Sequence, residues 1–487
     1  MRVVFAFLIN TIFNLIVGLI VARFLGPEEY GRFALAIGVM IFGQAVGFEW
    51  IRQCAIRFYS ARSREKKPRV RATLDAAFAV FTLGFIPLAG AFALFGPEMT
   101  LPRDLMALAF AASIANGLFD YETALARARF DDRLYMRIIV IKNILSVAGM
   151  AGGAWATGSA RVTLAAGMGA LLGALVFSFK GLRDPGAGFF RADRRLLRPY
   201  AGYAAPIVAA VVLYQLIPLV NRDLATRFFG FAETGRFALA YDLGLRAVSA
   251  LGSALDVLLF QIAVRAHDLH GQDQAREQIA RNMAMVFALL LPACVGIWII
   301  LPSIEVLIVP TAYRGAFGKF LTLMLPGLFC LGLSQFALNA IFQIARKTRP
   351  VVLAAVVVCA ADPVIFLLLP KAEDASSLAL AQSLAMALGF VTLVVFAQAS
   401  RPQWPGARDL FWTVTAVLGM AALTGPWRDW RPGLLQMIAQ MALAGGFYLA
   451  VVGLTDLAGL RAAFLAKARP LLRRARLLKL NLPLELK

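Results

Sequence analysis

Apolar residues run along this chain in stretches of about twenty, the length a helix rising ~1.5 Å per residue needs to cross a ~30 Å hydrocarbon layer. Windows of about 19 residues place fourteen such stretches, at 3–22, 31–50, 72–95, 105–126, 138–157, 162–179, 201–220, 234–258, 282–302, 320–344, 351–369, 376–397, 409–424 and 433–455. The connections are short, the longest about twenty residues, and none is long enough to hold an extramembrane domain. The pattern predicts an all-α integral membrane protein of about 14 transmembrane helices. Arg2 precedes the first stretch and no small-residue cleavage site follows it, so residues 3–22 read as an uncleaved first span.

Composition agrees: 60% of residues are apolar and 16% charged, against about 25% charged in a soluble domain. A net charge of +21 in a soluble chain would point to nucleic acid. Here the cations alternate between loops. Arg57, Arg62, Arg64, Lys66, Lys67, Arg69 and Arg71 follow the second stretch, and Arg127, Arg129, Arg133 and Arg137 the fourth. Lys180, Arg183, Arg191, Arg194, Arg195 and Arg198 follow the sixth, and Arg346, Lys347 and Arg349 the tenth. The tail adds Arg461, Lys467, Arg469, Arg473, Arg474, Arg476 and Lys479. Loops on the other side are poor in cations or carry acids, as at Pro27-Glu28-Glu29 and Lys371–Asp374. The positive-inside rule then sets an even number of spans with both termini cytoplasmic, and no nucleic-acid partner is needed.

Cys54, Cys294, Cys330 and Cys359 show no paired spacing, and the two histidines, His267 and His270, fall in a polar stretch read as a loop. Neither a metal site nor a cofactor is expected.

The chain repeats itself. Residues 22–36 (ARFLGPEEYGRFALA) and 226–240 (TRFFGFAETGRFALA) are identical at ten of fifteen positions, 204 residues apart. An offset of six spans keeps the orientation, so the repeats are parallel, an arrangement found in transporters. The reading divides the chain into a six-helix half at 1–179, a basic cytoplasmic linker at 180–200, a second six-helix half at 201–400, helices 13 and 14 at 401–460 and a basic cytoplasmic tail at 461–487. Within the motif, Gly26 and Gly31 read as a tight turn, and Glu29 with the arginines as residues of the outer interface.

The run NTIFNLIVGLIVARFLGPEEYGRFALA (residues 10–36), its echo at 221–240 and the two-half plan resemble the Wzx-type oligosaccharide flippases, within the multidrug/oligosaccharidyl-lipid/polysaccharide exporter superfamily. The resemblance implies movement of undecaprenyl-diphosphate-linked oligosaccharide across a bacterial plasma (inner) membrane, by alternating access around a cationic cavity. Membrane lipids and that lipid-linked sugar would be its partners, with polysaccharide polymerase machinery beyond them, and a monomer is expected. The resemblance also makes helices 13 and 14 a groove for the polyprenyl tail.

Polar stripes inside the apolar helices supply site candidates independently. In the eighth stretch Asp242, Arg246, Ser249, Ser253 and Asp256 are spaced to share one helical face. Arg246 lies about twelve residues, or roughly 18 Å, into that helix. In the fourth, Ser113, Asn116, Asp120, Thr123 and Arg127 repeat the spacing; Gln335, Asn339 and Gln343 do so in the tenth. Asn10, Asn14, Lys142, Asn143 and Ser146 are weaker examples. Such residues either line a water-filled path or hydrogen-bond between packed helices. Arg52 either meets the diphosphate or snorkels to the interface. The substrate-binding set is therefore Arg246, Asp242, Arg52, Asp120, Ser249 and Asn116, with Asp120, Glu122 and Asp242 as candidates for ion coupling and Pro206, Pro218, Pro292, Pro302, Pro326 and Pro363 as sources of kinks. A peptidoglycan-precursor flippase and a cation-coupled drug exporter share the expected fold. A membrane-embedded polymerase or ligase fits less well, since such enzymes present acids or histidines on a sizeable loop and this chain has none.

Overall fold

The computed structural model describes residues 2–60, 62, 65, 68–95, 100–184, 191–344, 349–370 and 372–461. No strand occurs among the described residues. The main helices are α1 (Arg2–Gly47), α2 (Glu49–Phe58), α3 (Pro68–Phe95), α4 (Arg103–Ala128), α5 (Asp132–Ser146), α6 (Gly152–Thr157), α7 (Ala160–Leu182) and α8 (Leu197–His270). They continue with α9 (Gln272–Leu307), α10 (Ala316–Leu333), α11 (Asn339–Ile344), α12 (Arg349–Leu368), α13 (Ser376–Gln398), α14 (Ala407–Thr424) and α15 (Leu434–Thr455). Single π turns at Val147–Ala151 and Ser334–Leu338 join α5 to α6 and α10 to α11. Eleven of the described helical segments are long and apolar enough to cross a membrane. Large apolar side chains such as Leu83, Leu88, Val176, Leu418, Leu435 and Leu454 stay exposed along them, which in water would drive association and in lipid is the solvated face.

Two helices each hold two of the expected spans, broken at one glycine. Gly26 in α1 has φ 69° and ψ 172°, and Gly230 in α8 has φ 84° and ψ 173°. Only glycine adopts that region without strain. Pro27 follows Gly26 with its φ already helical and no amide proton to satisfy. Gly31 does not turn the chain, as the sequence suggested; it lies within helix and serves a close contact described below. A second correction concerns the polar stretch after the eighth span. Residues 259–281 are helical, interrupted only around Gly271 (φ 86°), because their Ala, Gln, Arg and Glu favour helix. His267 and His270 thus lie on the helix backbone, their side chains outside the described set, as is that of Asp256. Arg64, Lys66, Lys67, Arg346, Lys347, Lys371 and the tail from residue 462 are also outside it.

By packing, the chain forms two compact units: Met1–Ala247 with Ile308–Leu328 and Arg346–Leu393, and Val248–Leu307 with Phe329–Ala345 and Val394–Lys487. Lipid tails are as apolar as leucine, so helices in a bilayer associate through close packing more than through the hydrophobic effect. In the first unit Phe48, Ile51, Leu74, Phe78, Tyr121 and Leu125 form one packed cluster, and Phe119, Ile138, Ala174 and Leu175 another. Small residues bring the backbones together: a Cβ added to Gly43 would stand 2.6 Å from the Ser113 hydroxyl oxygen, and one on Gly117 2.8 Å from Phe48. In the second unit Ile299 of α9 packs with Ala416, Val417 and Met420 of α14 and Ala444 and Tyr448 of α15. The Tyr448 hydroxyl donates to the Ala288 carbonyl. An apolar cavity of about 390 Å³ lies among Pro292, Ile299, Met420, Met441 and Tyr448, with the buried Gln440 on its wall.

Candidate substrate cavity

The repeated motif packs against itself. A Cβ on Gly31 would overlap the Phe231 carbonyl oxygen, and one on Gly235 would overlap the Pro27 carbonyl oxygen. Residues 31 and 235, like 27 and 231, are 204 apart. The contact is reciprocal, as a two-fold relation between the repeats requires. The polar residues of the motif are also matched: Arg32 pairs with Glu29, and Arg236 with Glu233. Glu29 accepts the Ala160 amide at 2.9 Å at the start of α7, and Arg32 lies 4.9 Å from the Phe231 ring centroid. The motif is a structural joint.

Beside this joint, inside the first unit, is a cavity of about 210 Å³. Its walls come from α1, α4, α5, the π turn at Val147–Ala151, α7 and α8. Asn14, Tyr30, Asn116, Lys142, Ser146, Asp242 and Arg246 are its polar lining; Gly18, Ala34, Met40, Met150 and Met168 are among the apolar part. Lys142 is buried and donates to Asn10 Oδ1 at 3.0 Å and Asn14 Oδ1 at 2.9 Å. That leaves one of its three ammonium protons with no described protein acceptor. Arg246 has no hydrogen bond or ion pair among the described residues, so its whole planar fork is available. Asp242 is the one acid among the lining residues, and it is already paired: Arg222 Nη2 lies 2.5 Å from its Oδ1. The lining thus has two cations to offer and no free carboxylate.

The structure brings Arg246, Asp242 and Asn116 together at this cavity. Other expected residues are placed elsewhere. Arg52 grips Glu49 on its own helix, through Nε at 2.8 Å and through Nη2. Glu122 accepts Arg71 Nη2 at 2.7 Å within a buried network, where Arg71 Nε also reaches Asp75 and the Tyr121 hydroxyl donates to Asp75 at 2.7 Å. Asp120 is half-buried on α4 and is not among the residues that line this cavity. Ser249 belongs to the second unit, where its carbonyl accepts the Ser253 hydroxyl at 2.6 Å. Asp242 and Arg246 are not each other's partners despite their i, i+4 spacing, because Arg222 takes the acid.

Two residues at the centre of this arrangement were not singled out by sequence reasoning. Tyr30 is buried and stacks edge-on to Tyr313 at 5.9 Å. Arg222 is buried and donates from Nη1 to the Ala34 carbonyl at 2.7 Å besides holding Asp242. A signal for Arg222 existed: carrying the 204-residue register outward sets Arg222 against Gly18 and Asp242 against Gly38, an opposite-charge pair where the first repeat has two glycines.

No curated protein matches the chain. Solved structures match its fold: the lipid II flippase MurJ in an inward closed conformation overlays with a TM-score of 0.70 at 14% identity, covering 92% of this chain and 97% of that one. An inward-facing multidrug resistance MATE family transporter of the MOP superfamily gives 0.53 at 15% identity over 80% and 95%. The MATE multidrug transporter DinF-BH gives 0.56 at 14% over 82% and 94%. These matches establish the fold, which the chain shares with those three proteins. The sequence profile of the polysaccharide biosynthesis proteins matches residues 20–313, more than half of the chain and both copies of the repeat. The chain belongs to the polysaccharide biosynthesis protein family and has the fold seen in MurJ.

Proposed function

We propose that this protein moves undecaprenyl-diphosphate-linked oligosaccharide from the inner to the outer leaflet of a bacterial plasma membrane, for O-antigen, capsule or exopolysaccharide synthesis, and that it is a carrier with no catalytic step of its own. The observation that carries the reading is the unpaired Arg246 facing the same small cavity as Lys142. A guanidinium fork and an ammonium suit a diphosphate through charge-assisted hydrogen bonds. Asp242, held by Arg222, does not cancel them. At about 210 Å³ the cavity is below the ~300–1,000 Å³ of drug-sized pockets. It suits a head group, and the sugar chain needs the wider path that alternating access opens. The apolar cavity lined by α9, α14 and α15 suits a polyprenyl stretch. Asp120, Asp242 and Glu122 are the acids through which an ion gradient would drive the cycle. Both termini lie in the cytoplasm on this reading, and polymerase machinery meets the cargo on the far side.

Drug exporters share the fold, and the family match favours the saccharide cargo over them. A peptidoglycan precursor presents the same diphosphate, and cargo analysis separates the two. The test is Arg246→Ala. It should abolish export at normal membrane abundance, while Arg246→Lys recovers it in part, keeping the charge and losing the fork. Export at the wild-type rate by a well-expressed Arg246→Ala variant removes this residue from the path.

A further inference from the structure

We infer that the cavity is open because position 18 is glycine, and that Gly18 sets the size of the anionic group it admits. Gly18 and Arg222 are the same position in the two repeats, 204 residues apart, as are Gly38 and Asp242. In the second repeat the position is full. The Arg222 side chain is buried and spans to the Ala34 carbonyl and Asp242. A Cβ on Gly38 would stand 3.2 Å from Leu219 Cδ1 and in ordinary contact, 3.8 Å, with Arg222, so this side of the joint is filled. In the first repeat the position is empty. A Cβ on Gly18 would meet no heavy atom within 4 Å, and Gly18 lines the cavity.

Packing gives no reason for glycine here. Gly18 sits in continuous helix, with none of the positive φ of Gly26 and none of the close approach of Gly31. A mid-helix glycine is less favourable than alanine, because its backbone loses more freedom on folding. What the missing side chain provides is space in a cavity that Lys142 and Arg246 also line. The repeats have thus diverged at two matched positions. One carries an ion pair that fills its side of the joint, and the other is bare and leaves a chamber for a phosphate-sized anion.

This inference rests on reading the cavity as an anion site, and the experiment separates the two. A Gly18→Cys variant in detergent would be treated with methanethiosulfonate reagents carrying a sulfonate or a trimethylammonium group, with the wild-type chain and its four cysteines as background. Corrected for their rates with a free thiol, the sulfonate should react about tenfold or more faster, since a cationic cleft concentrates anions. In cells, export should fall stepwise through Gly18→Ala, Gly18→Leu and Gly18→Phe at equal membrane abundance. If the introduced thiol is unreactive or prefers the cation, the inference is overturned whatever the cargo, and so it is by export that ignores side-chain volume in well-expressed variants. Anion-preferring labelling and volume-graded export of a cargo other than a lipid-linked oligosaccharide uphold it and overturn only the functional reading.

Discussion

Replacing Arg222 by leucine keeps much of the side chain's apolar volume and removes two contacts: the 2.7 Å hydrogen bond to the Ala34 carbonyl and the 2.5 Å ion pair with Asp242. Removing one partner of a buried ion pair in a soluble protein costs about 3–5 kcal/mol, mostly through the charge left behind. Two features lower that here. The Asp242 side chain is 27% exposed, so water in the cavity can solvate it, and interhelical hydrogen bonds in bilayers average only about 0.6 kcal/mol. We expect Arg222→Leu to cost about 2–3 kcal/mol. Adding Asp242→Leu should restore at least half of the loss, because replacing both members of a buried pair by apolar groups is close to neutral. The assay is a double-variant cycle on unfolding in mixed micelles titrated with dodecyl sulfate, followed by tryptophan fluorescence. A coupling below about 0.5 kcal/mol, the scatter of independent sites, refutes the claim that Arg222 neutralises Asp242.

Gly31→Ala places a Cβ on the Phe231 carbonyl oxygen; it should destabilise by about 1–3 kcal/mol as overpacking does, measured in the same titration, and Gly152→Ala, where a Cβ meets nothing within 4 Å, is the control. Between α12 and α13, partial burial pushes the Asp374 carboxyl up, but hydrogen bonds from Lys319 and Ser376 together with the lysine's charge hold it below the usual carboxylate range. Its contribution, at most about 1 kcal/mol for so exposed a pair, is present above the unfolded-state pKa of about 3.9 and lost as pH falls through the lower folded value; Asp374→Asn should therefore matter at pH 7 and cease to matter in strong acid, as unfolding titrations at both pH values will show. Reporter fusions at Lys67, Arg195 and Arg474 should report cytoplasm and those at Glu28 and Asp374 the opposite side, and a reversed signal at Arg195 breaks the six-plus-six division.

Much of the fold was legible because lipid imposes a simple rule: a spanning segment must be apolar and helical. The fourteen apolar stretches are helical over nearly all their length, thirteen of them falling in the eleven segments long and apolar enough to span and the fourth in α4, and the repeat marked the two helix breaks through Gly26 and Gly230. The role of Gly31 was not legible, since a glycine that turns the chain and one that admits a neighbouring carbonyl look alike until the partner helix is in place. The site was half legible. Helical spacing put Asp242 and Arg246 on one face, and both reach the cavity. Spacing favours partners along one helix, however, and the acid's partner, Arg222, sits twenty residues upstream across the glycine break. Arg52 and Glu122 stood out as charges near apolar runs; each has an ion-pair partner within the protein, Glu49 for Arg52 and Arg71 for Glu122, although Glu122 Oε2 is buried with no hydrogen bond. Lys142 looked weaker as a lone cation in the fifth stretch, and only packing brings Asn10 and Asn14 to it.

The central claim is transport of a lipid-linked oligosaccharide, and the leaflet on which that intermediate resides tests it most directly. In a strain lacking this protein, with any redundant flippase also removed, the intermediate should continue to be made and should accumulate where periplasmic enzymes and impermeant labelling reagents cannot reach it. Restoring the wild-type chain should release it to the outer leaflet, and the Arg246→Ala chain at equal abundance should not. Normal amounts of the intermediate on the outer leaflet of the deletion strain would contradict the account.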